Sequence, residues 1–232
     1  ELVVVDRYSW DGTREIAERF GARVFLKGYE RSPQKNYGAK KAGGSFILFL
    51  DSDMELSPGV IEECVSCCLT EGVDGVIIPQ YSVAENFLAE CRSLERMCYL
   101  GDPLFEAPRF LRRDVFLSLG GFDERLFYGE DLDLYIRFRR AGYKAGRVKA
   151  WIKHYEGKLT MRGIVLKSFY YGKSARAFMA KNPTLSLKMY SPVRPAFLRR
   201  AGVFLKHPVH TGVLILMKFV EYLSSLLGVL NG

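Results

Sequence analysis

Asp51-Ser52-Asp53 follows an apolar run that ends at Leu50. On a strand, an i, i+2 spacing directs both acids to one side. Two bare carboxylates held close repel by about 1 kcal/mol or more, depending on the local dielectric. A divalent cation removes that conflict. An oxygen-rich donor set suits Mg²⁺ or Mn²⁺, which bridge to substrate phosphates and keep several waters. The same triplet is also compatible with a solvated strand-to-loop turn. His154, between Lys153 and Tyr155, would complete a mixed oxygen and nitrogen ligand set with Asp51 and Asp53. A lone histidine is more often a surface or satisfied core residue.

A second group of acids comprises Asp123 and Glu124, then Glu130, Asp131 and Asp133 around Gly129. Acids in the first turn of a helix are favoured by its dipole, which is a structural reading. That dipole also keeps Glu130 or Asp131 ionised, as a general base requires. Arg109, Arg112 and Arg113 precede this segment. They could bind a donor or acceptor phosphate, or stand in solvent.

Short apolar runs must position these groups. Residues 2–5, 23–26, 46–50 and 73–78 read as strands. Between them, Ile16, Ala17 and Phe20 mark one helix face, residues 36–42 a second helix, and Ile61, Val65 and Leu69 a third. This alternation predicts an α/β fold: a Rossmann-like, mostly parallel sheet flanked by helices. Ligands of such sheets bind beyond the carboxyl ends of the strands, where Asp6 and Asp51 stand. Leu132, Tyr135 and Ile136 give the acid-rich segment a helical stripe, and residues 149–154 alternate like an exposed strand.

With 232 residues, 48% hydrophobic and 26% charged, the chain can bury a core and is not a disordered polymer. Its net charge of +8 is unevenly distributed. Between Gly157 and Val220 lie twelve basic residues and no acid, so 34 − 12 = 22 basic residues face 26 acids elsewhere. A mildly acidic body carrying a basic tail predicts an anionic partner for the tail. Five cysteines are too few and too uneven for a disulfide scaffold. Cys64, Cys67 and Cys68 lie in a helical stretch with no second zinc half-site at suitable spacing, and read as buried packing. There is no signal peptide and no initiating Met; the N-terminus reads as cut.

Several motifs then occur in order. They are Val3-Val4-Val5-Asp6, Ser9, Asp11-Gly12-Thr13, Asn36-Tyr37-Gly38-Ala39, Phe49-Leu50-Asp51-Ser52-Asp53, Gly120-Gly121-Phe122-Asp123-Glu124 and Gly129-Glu130-Asp131-Leu132-Asp133-Leu134. Together they resemble the family-2 glycosyltransferases, inverting enzymes with the GT-A fold, over about residues 1–157. The resemblance implies a UDP- or GDP-sugar donor, with Asp6 on the base or ribose and Lys35 and Asn36 lining the donor pocket. It further implies that Asp51 and Asp53 hold the sugar ribose and the metal, and that Asp131, beside Glu130, is the base. Arg113 is assigned with them to substrate binding. The family normally begins with one more strand and helix, and Arg7, Tyr8 and Trp10 replace smaller residues after the first Asp.

Residues 158–232 form the second expected region, helical and basic. Residues 212–230 are long and apolar enough to reach across a bilayer core, yet Lys218, Glu221 and Ser225 share one stripe. That pattern fits an interfacial or protein-covered helix better than a lone spanning one. Tyr170, Tyr171, Phe178, Tyr190 and Phe197 interleave with the cations, as interface-seeking aromatics do. The expectation is attachment to an anionic membrane surface on its cytoplasmic face, peripheral or through the C-terminal helix. A lipid-linked glycan is then the expected acceptor, with a polyprenyl-phosphate synthase or a non-catalytic scaffold as alternatives. RNA binding is disfavoured because the tail pairs its charges with a long apolar segment.

Overall fold

The computed structural model describes residues 1–28, 30–102, 104–183, 186, 191 and 194–231. Tyr190, one of the aromatics expected to interleave with the cations, lies outside them.

Strands β1 (Val3–Asp6) and β2 (Arg23–Leu26) pair in parallel, Val3 opposite Arg23 and Asp6 opposite Leu26. Three successive β-branched valines suit the extended backbone of β1. Helix α1 (Thr13–Arg19) joins the two strands but buries no residue, and Phe20 is 79% exposed. The apolar face expected there is uncovered, because no layer packs over it among the described residues.

Beyond α2 (Arg31–Lys41) lies a sheet ordered β3 (Phe46–Leu48), β7 (Phe110–Arg112), β5 (Gly75–Ile77), β8 (Ala145–Arg147). A second sheet is ordered β4 (Met54–Leu56), β9 (Ile152–Tyr155), β6 (Gln80–Val83). The sheets are more mixed than the apolar runs suggest. β7 opposes both β3 and β5, and β4 opposes β9, whereas β5–β8 and β6–β9 are parallel. A continuous apolar run reports burial on both faces, not strand direction. β4, β6 and β8 are too short and too polar to carry a strand signal. β9, expected as an exposed strand, is central to its sheet, and Ile152 is fully buried.

α2 starts five residues earlier than its apolar pattern indicates. Pro33 sits in the first turn, where backbone N–H groups lack helical partners and a proline costs little. Helix α3 (Val60–Thr70) packs Val60, Cys64, Cys67 and Cys68 against Val76, Phe110 and Ile152. Burial pushes the Cys64 thiol up to about 12, so it acts as a small apolar side chain. On the other side, α2, α5 (Arg113–Ser118) and α6 (Glu130–Arg140) contribute Ala39, Phe116, Leu134 and Phe138 to a second core with Ile47 and Leu111.

Helix α4 (Phe87–Tyr99) is capped by Asn86, whose side chain accepts from Ala89 N at 3.1 Å. It forms the seat of the C-terminal helices α7 (Met161–Lys181), α8 (Pro195–Arg199), α9 (Ala201–Lys206) and α10 (Pro208–Leu230). α7 and α10 touch backbone to backbone. A Cβ at Gly172 would collide with the Ser225 carbonyl, and one at Gly228 with the Phe169 carbonyl. The basic tail is therefore docked, and part of its anionic counterpart is this chain's own body. Lys181 pairs with Asp123 and Asp133, Arg199 with Asp102, and Arg194 and Lys218 with Glu95.

Candidate active site

β3 ends at Leu48, so Asp51-Ser52-Asp53 forms the turn into β4, with Met54 N donating to Asp51 O at 3.1 Å. Strand alternation does not govern a turn, and the two carboxylates find different partners. Asp51 Oδ1 accepts from Lys35 Nζ at 2.8 Å and Asp51 Oδ2 from Arg109 Nη1 at 3.2 Å. Burial alone would raise the Asp51 carboxyl. Lys35 and then Arg109 outweigh it and hold the group well below the usual carboxylate range.

Asp53 is half exposed and faces His154 across the β4–β9 pairing, Oδ2 to Nε2 at 3.2 Å. His154 Nδ1 is buried without a hydrogen bond among the described residues, although Glu156 Oε1 lies 3.4 Å away. Glu156 is itself tied to Arg96 and accepts from Ser82 Oγ at 2.7 Å. Burial opposes its ionisation, but the His154 contact and Arg96 bring its carboxyl down to about 2.

This arrangement fits a divalent ion at Asp53 and His154. A metal-bound histidine directs its second ring N–H to a carboxylate, and the unsatisfied Nδ1 beside Glu156 is set for that. Among the described residues, no three His, Cys, Asp or Glu side chains converge as a closed metal cage. Mg²⁺ and Mn²⁺ sites that bridge to substrate phosphates do not require one.

Gly129 caps α6 with φ 77°, a left-handed conformation that favours glycine. Three acids follow in the first turn, and their surroundings separate them. Asp133 is buried and bound to Arg137, Lys181 and Asn182, a structural clasp between α6 and α7. Glu130 is buried, with Arg31 Nη2 at 3.7 Å. Burial first, and Asp131 second, raise its carboxyl above the ordinary range, while Arg31 and Lys35 oppose the rise. Asp131 is exposed and, among the described residues, accepts a hydrogen bond from its neighbour's backbone, Leu132 N, at 2.8 Å. Arg31 connects the two acid groups: it approaches Glu130 and also lies in the field of Tyr171, Asp51 and Asp131.

The remaining expected residues have other surroundings. Asp6, at the end of β1, accepts from Ser9 N at 2.8 Å and Ser9 Oγ at 2.5 Å. Asn36 is buried and exchanges hydrogen bonds with the backbone of Phe122, at 2.9 and 2.8 Å, so it braces the loop rather than lining a pocket. Gly121 beside it, at φ 72°, has no room for a Cβ against Asn36 Oδ1. The Arg113 guanidinium is engaged with the carbonyls of Ala39 and Lys40 at the end of α2. Arg109 is the arginine that reaches Asp51. Arg31, Glu156 and Tyr171 carried no recognisable spacing signal; each becomes visible only through contacts distant in sequence.

The family model described as glycosyl transferase family 2 matches residues 1–119. A curated relative, the succinoglycan biosynthesis protein ExoA of Rhizobium meliloti (strain 1021), is 23% identical over 217 residues. That match covers 84% of this chain and 66% of the relative, so the chain spans a little under two thirds of that protein. Among solved structures, the mannosyltransferase PcManGT from Pyrobaculum calidifontis in complex with GDP-Man and Mn²⁺ superposes with TM-score 0.67. It is 14% identical, with 100% of this chain and 78% of that chain covered. S. aureus TarS 1–349 in complex with UDP-GlcNAc gives TM-score 0.54 at 16% identity, covering 97% and 80% of the two chains. These likenesses show a GT-A-like fold with a C-terminal helical region.

Proposed function

Because the chain belongs to glycosyl transferase family 2, we propose that it transfers a sugar, with inversion, from a nucleotide-sugar donor to an acceptor hydroxyl. The observation that carries this reading is the Asp53–His154 pair beside the β4–β9 pairing, with Glu156 at the second ring nitrogen of His154. Asp53 and His154 would hold Mn²⁺ or Mg²⁺, which when bound supplies Lewis-acid stabilisation of charge on a departing diphosphate. Lys35 and Arg109, already ordered by Asp51, would orient donor oxygens. Asp6 would meet the base or ribose after releasing Ser9.

In the reaction, the acceptor oxygen forms a bond to the anomeric carbon as the bond to the diphosphate oxygen breaks. Asp131, exposed at the helix start, takes the hydroxyl proton. Glu130 positions Arg31 instead of meeting substrate. Attack from the face opposite the leaving group inverts the anomeric centre.

We further propose that the enzyme works on an anionic membrane surface and uses a lipid-linked acceptor. α10 is long and apolar enough to cross a bilayer, and Ile215, Leu216, Phe219, Leu223, Leu226 and Leu230 project outward from it. Its charged residues are turned into the protein. The interfacial orientation agrees with this distribution.

The test is thermal stabilisation by UDP-glucose, UDP-GlcNAc and GDP-mannose, each with and without Mn²⁺ or Mg²⁺, followed by a sugar-transfer assay on anionic vesicles carrying lipid-linked glycans. A metal-dependent rise in Tm with one donor is expected. No rise with any donor and metal would remove the reading.

A further inference from the structure

We propose that Arg31, Tyr171 and Lys167 form a subsite for a phosphate ester of an apolar chain, holding the acceptor beside Asp131. This rests on the glycosyltransferase reading for its place in catalysis, but its own contacts are independent of the donor residues.

Two cations converge on one ring. Arg31 Cζ lies 5.8 Å and Lys167 Nζ 5.7 Å from the Tyr171 ring centroid. Tyr128 stacks on that ring at 5.3 Å and fixes its plane. Arg31 donates through Nη2 to Phe127 O at 2.8 Å and only approaches Glu130, at 3.7 Å. Its Nε and Nη1 make no hydrogen bond among the described residues. Lys167 forms no ion pair among them either.

Other nearby cations are neutralised. Arg92 pairs with Glu95 and Glu221, and Arg96 with Glu156. Lys167 is the member of this group without a carboxylate of its own. Loss of solvent lowers its pKa first, then Arg96, Arg31 and Arg92 lower it further, with Glu156 opposing. Glu130 lies on Arg31's bonded edge, at Nη2, but Lys167 has no carboxylate of its own among the described residues, and a phosphate would supply acceptors for its ammonium together with the unbonded Nε and Nη1 of Arg31.

The surroundings indicate what the phosphate is attached to. Leu166 and Tyr170, a turn apart, lie to one side of Lys167 on the same helix, and Leu166 is 58% exposed. A free phosphate has no use for that surface, whereas an apolar chain covers it. The outward apolar residues of α10 continue the same kind of surface on the neighbouring helix.

The experiment titrates the full chain in detergent micelles with farnesyl phosphate, farnesol and inorganic phosphate, and separately with UDP plus Mn²⁺. Farnesyl phosphate should bind at least tenfold tighter than either other probe. Lys167→Met should weaken it tenfold or more while UDP–Mn²⁺ binding stays within twofold, and Lys167→Arg should restore it. Circular dichroism melts confirm that the variants fold. Farnesol binding as tightly as its phosphate, or no effect of Lys167→Met, overturns the subsite. Competition between UDP and farnesyl phosphate also overturns it, by assigning these cations to the donor. Inorganic phosphate matching farnesyl phosphate overturns the apolar half. Tight farnesyl phosphate binding with no UDP binding upholds the subsite and removes the glycosyltransferase reading instead.

Discussion

Lys218 on α10 donates to Glu95 on α4 at 2.9 Å, and Lys218 also pairs with Glu221, three residues along, at 2.8 Å. Arg92 and Arg194 close on the same Glu95 carboxylate. The charged strip of α10 thus points into the protein. A helix on an ordinary soluble surface has the opposite arrangement. Here Phe219, one residue after Lys218, is 60% exposed.

That inverted face predicts binding to vesicles. Replacing Leu216 and Phe219 with Glu should abolish co-sedimentation with phosphatidylglycerol vesicles while leaving the melting temperature near that of the parent. Retained co-sedimentation would show that the basic surface alone drives attachment.

Glu95→Gln tests the buried network. It removes the anion shared by Lys218, Arg92 and Arg194 and leaves Glu221, which pairs with Lys218 and Arg92, as the remaining acid for three cations. Breaking such a buried pair costs on the order of 3–5 kcal/mol. For a chain of this size that is a fall in Tm of roughly 6–20 °C. Calorimetry showing no change would mean that water already reaches the cluster.

The same network sets a pH dependence. Glu95 and Glu156 are both depressed to about 2 from an ordinary 4.5. In each case burial acts the other way and is outweighed, for Glu95 by Lys218 and Arg92, for Glu156 by His154 and Arg96. Their contribution is complete above the unfolded value and disappears as pH falls from about 4.5 towards about 2. Chemical denaturation across that window should show falling stability, and Glu95→Gln should flatten the slope.

Asp53→Ala and His154→Ala should each remove the metal-dependent part of donor stabilisation and lower kcat/KM by at least about 100-fold. Glu156→Gln should weaken Mn²⁺ affinity by roughly 10- to 100-fold without abolishing turnover. Titration of Mn²⁺ into the three variants separates direct ligands from the group behind them.

Asp131→Asn should retain donor and metal binding and lower kcat by about 10²–10⁴. Stopped turnover with an unchanged donor Kd supports the base. Near-normal kcat would move that role elsewhere in the site.

Much of the layout was legible from local pattern. Val3-Val4-Val5 reads as a strand in any context, although the three side chains are only half-buried, and Cys64, Cys67 and Cys68 fall on one buried helical face. The acids were legible as a set, yet their division was not. Asp133 and Asp131 are two residues apart in one turn, but one meets Lys181 from another helix and the other meets solvent. Asn36 was expected at the donor pocket from the family resemblance, and Arg113 because a guanidinium suits a phosphate. Their contacts in the structure are to the Phe122 loop and the end of α2, through partners that no spacing rule selects.

Near-neighbour order determined where apolar runs, turns and charge blocks fall, because burial and backbone preference act within a few residues. It therefore determined the α/β class, the acid-bearing strand ends and the segregation of charge. Only tertiary packing decided that Asp53 meets His154, 101 positions away, and that Lys218 turns inward to Glu95. Those partners are chosen by which strands pair and which helices touch. Such choices minimise unpaired buried charge over the whole molecule, a condition no local stretch of chain contains.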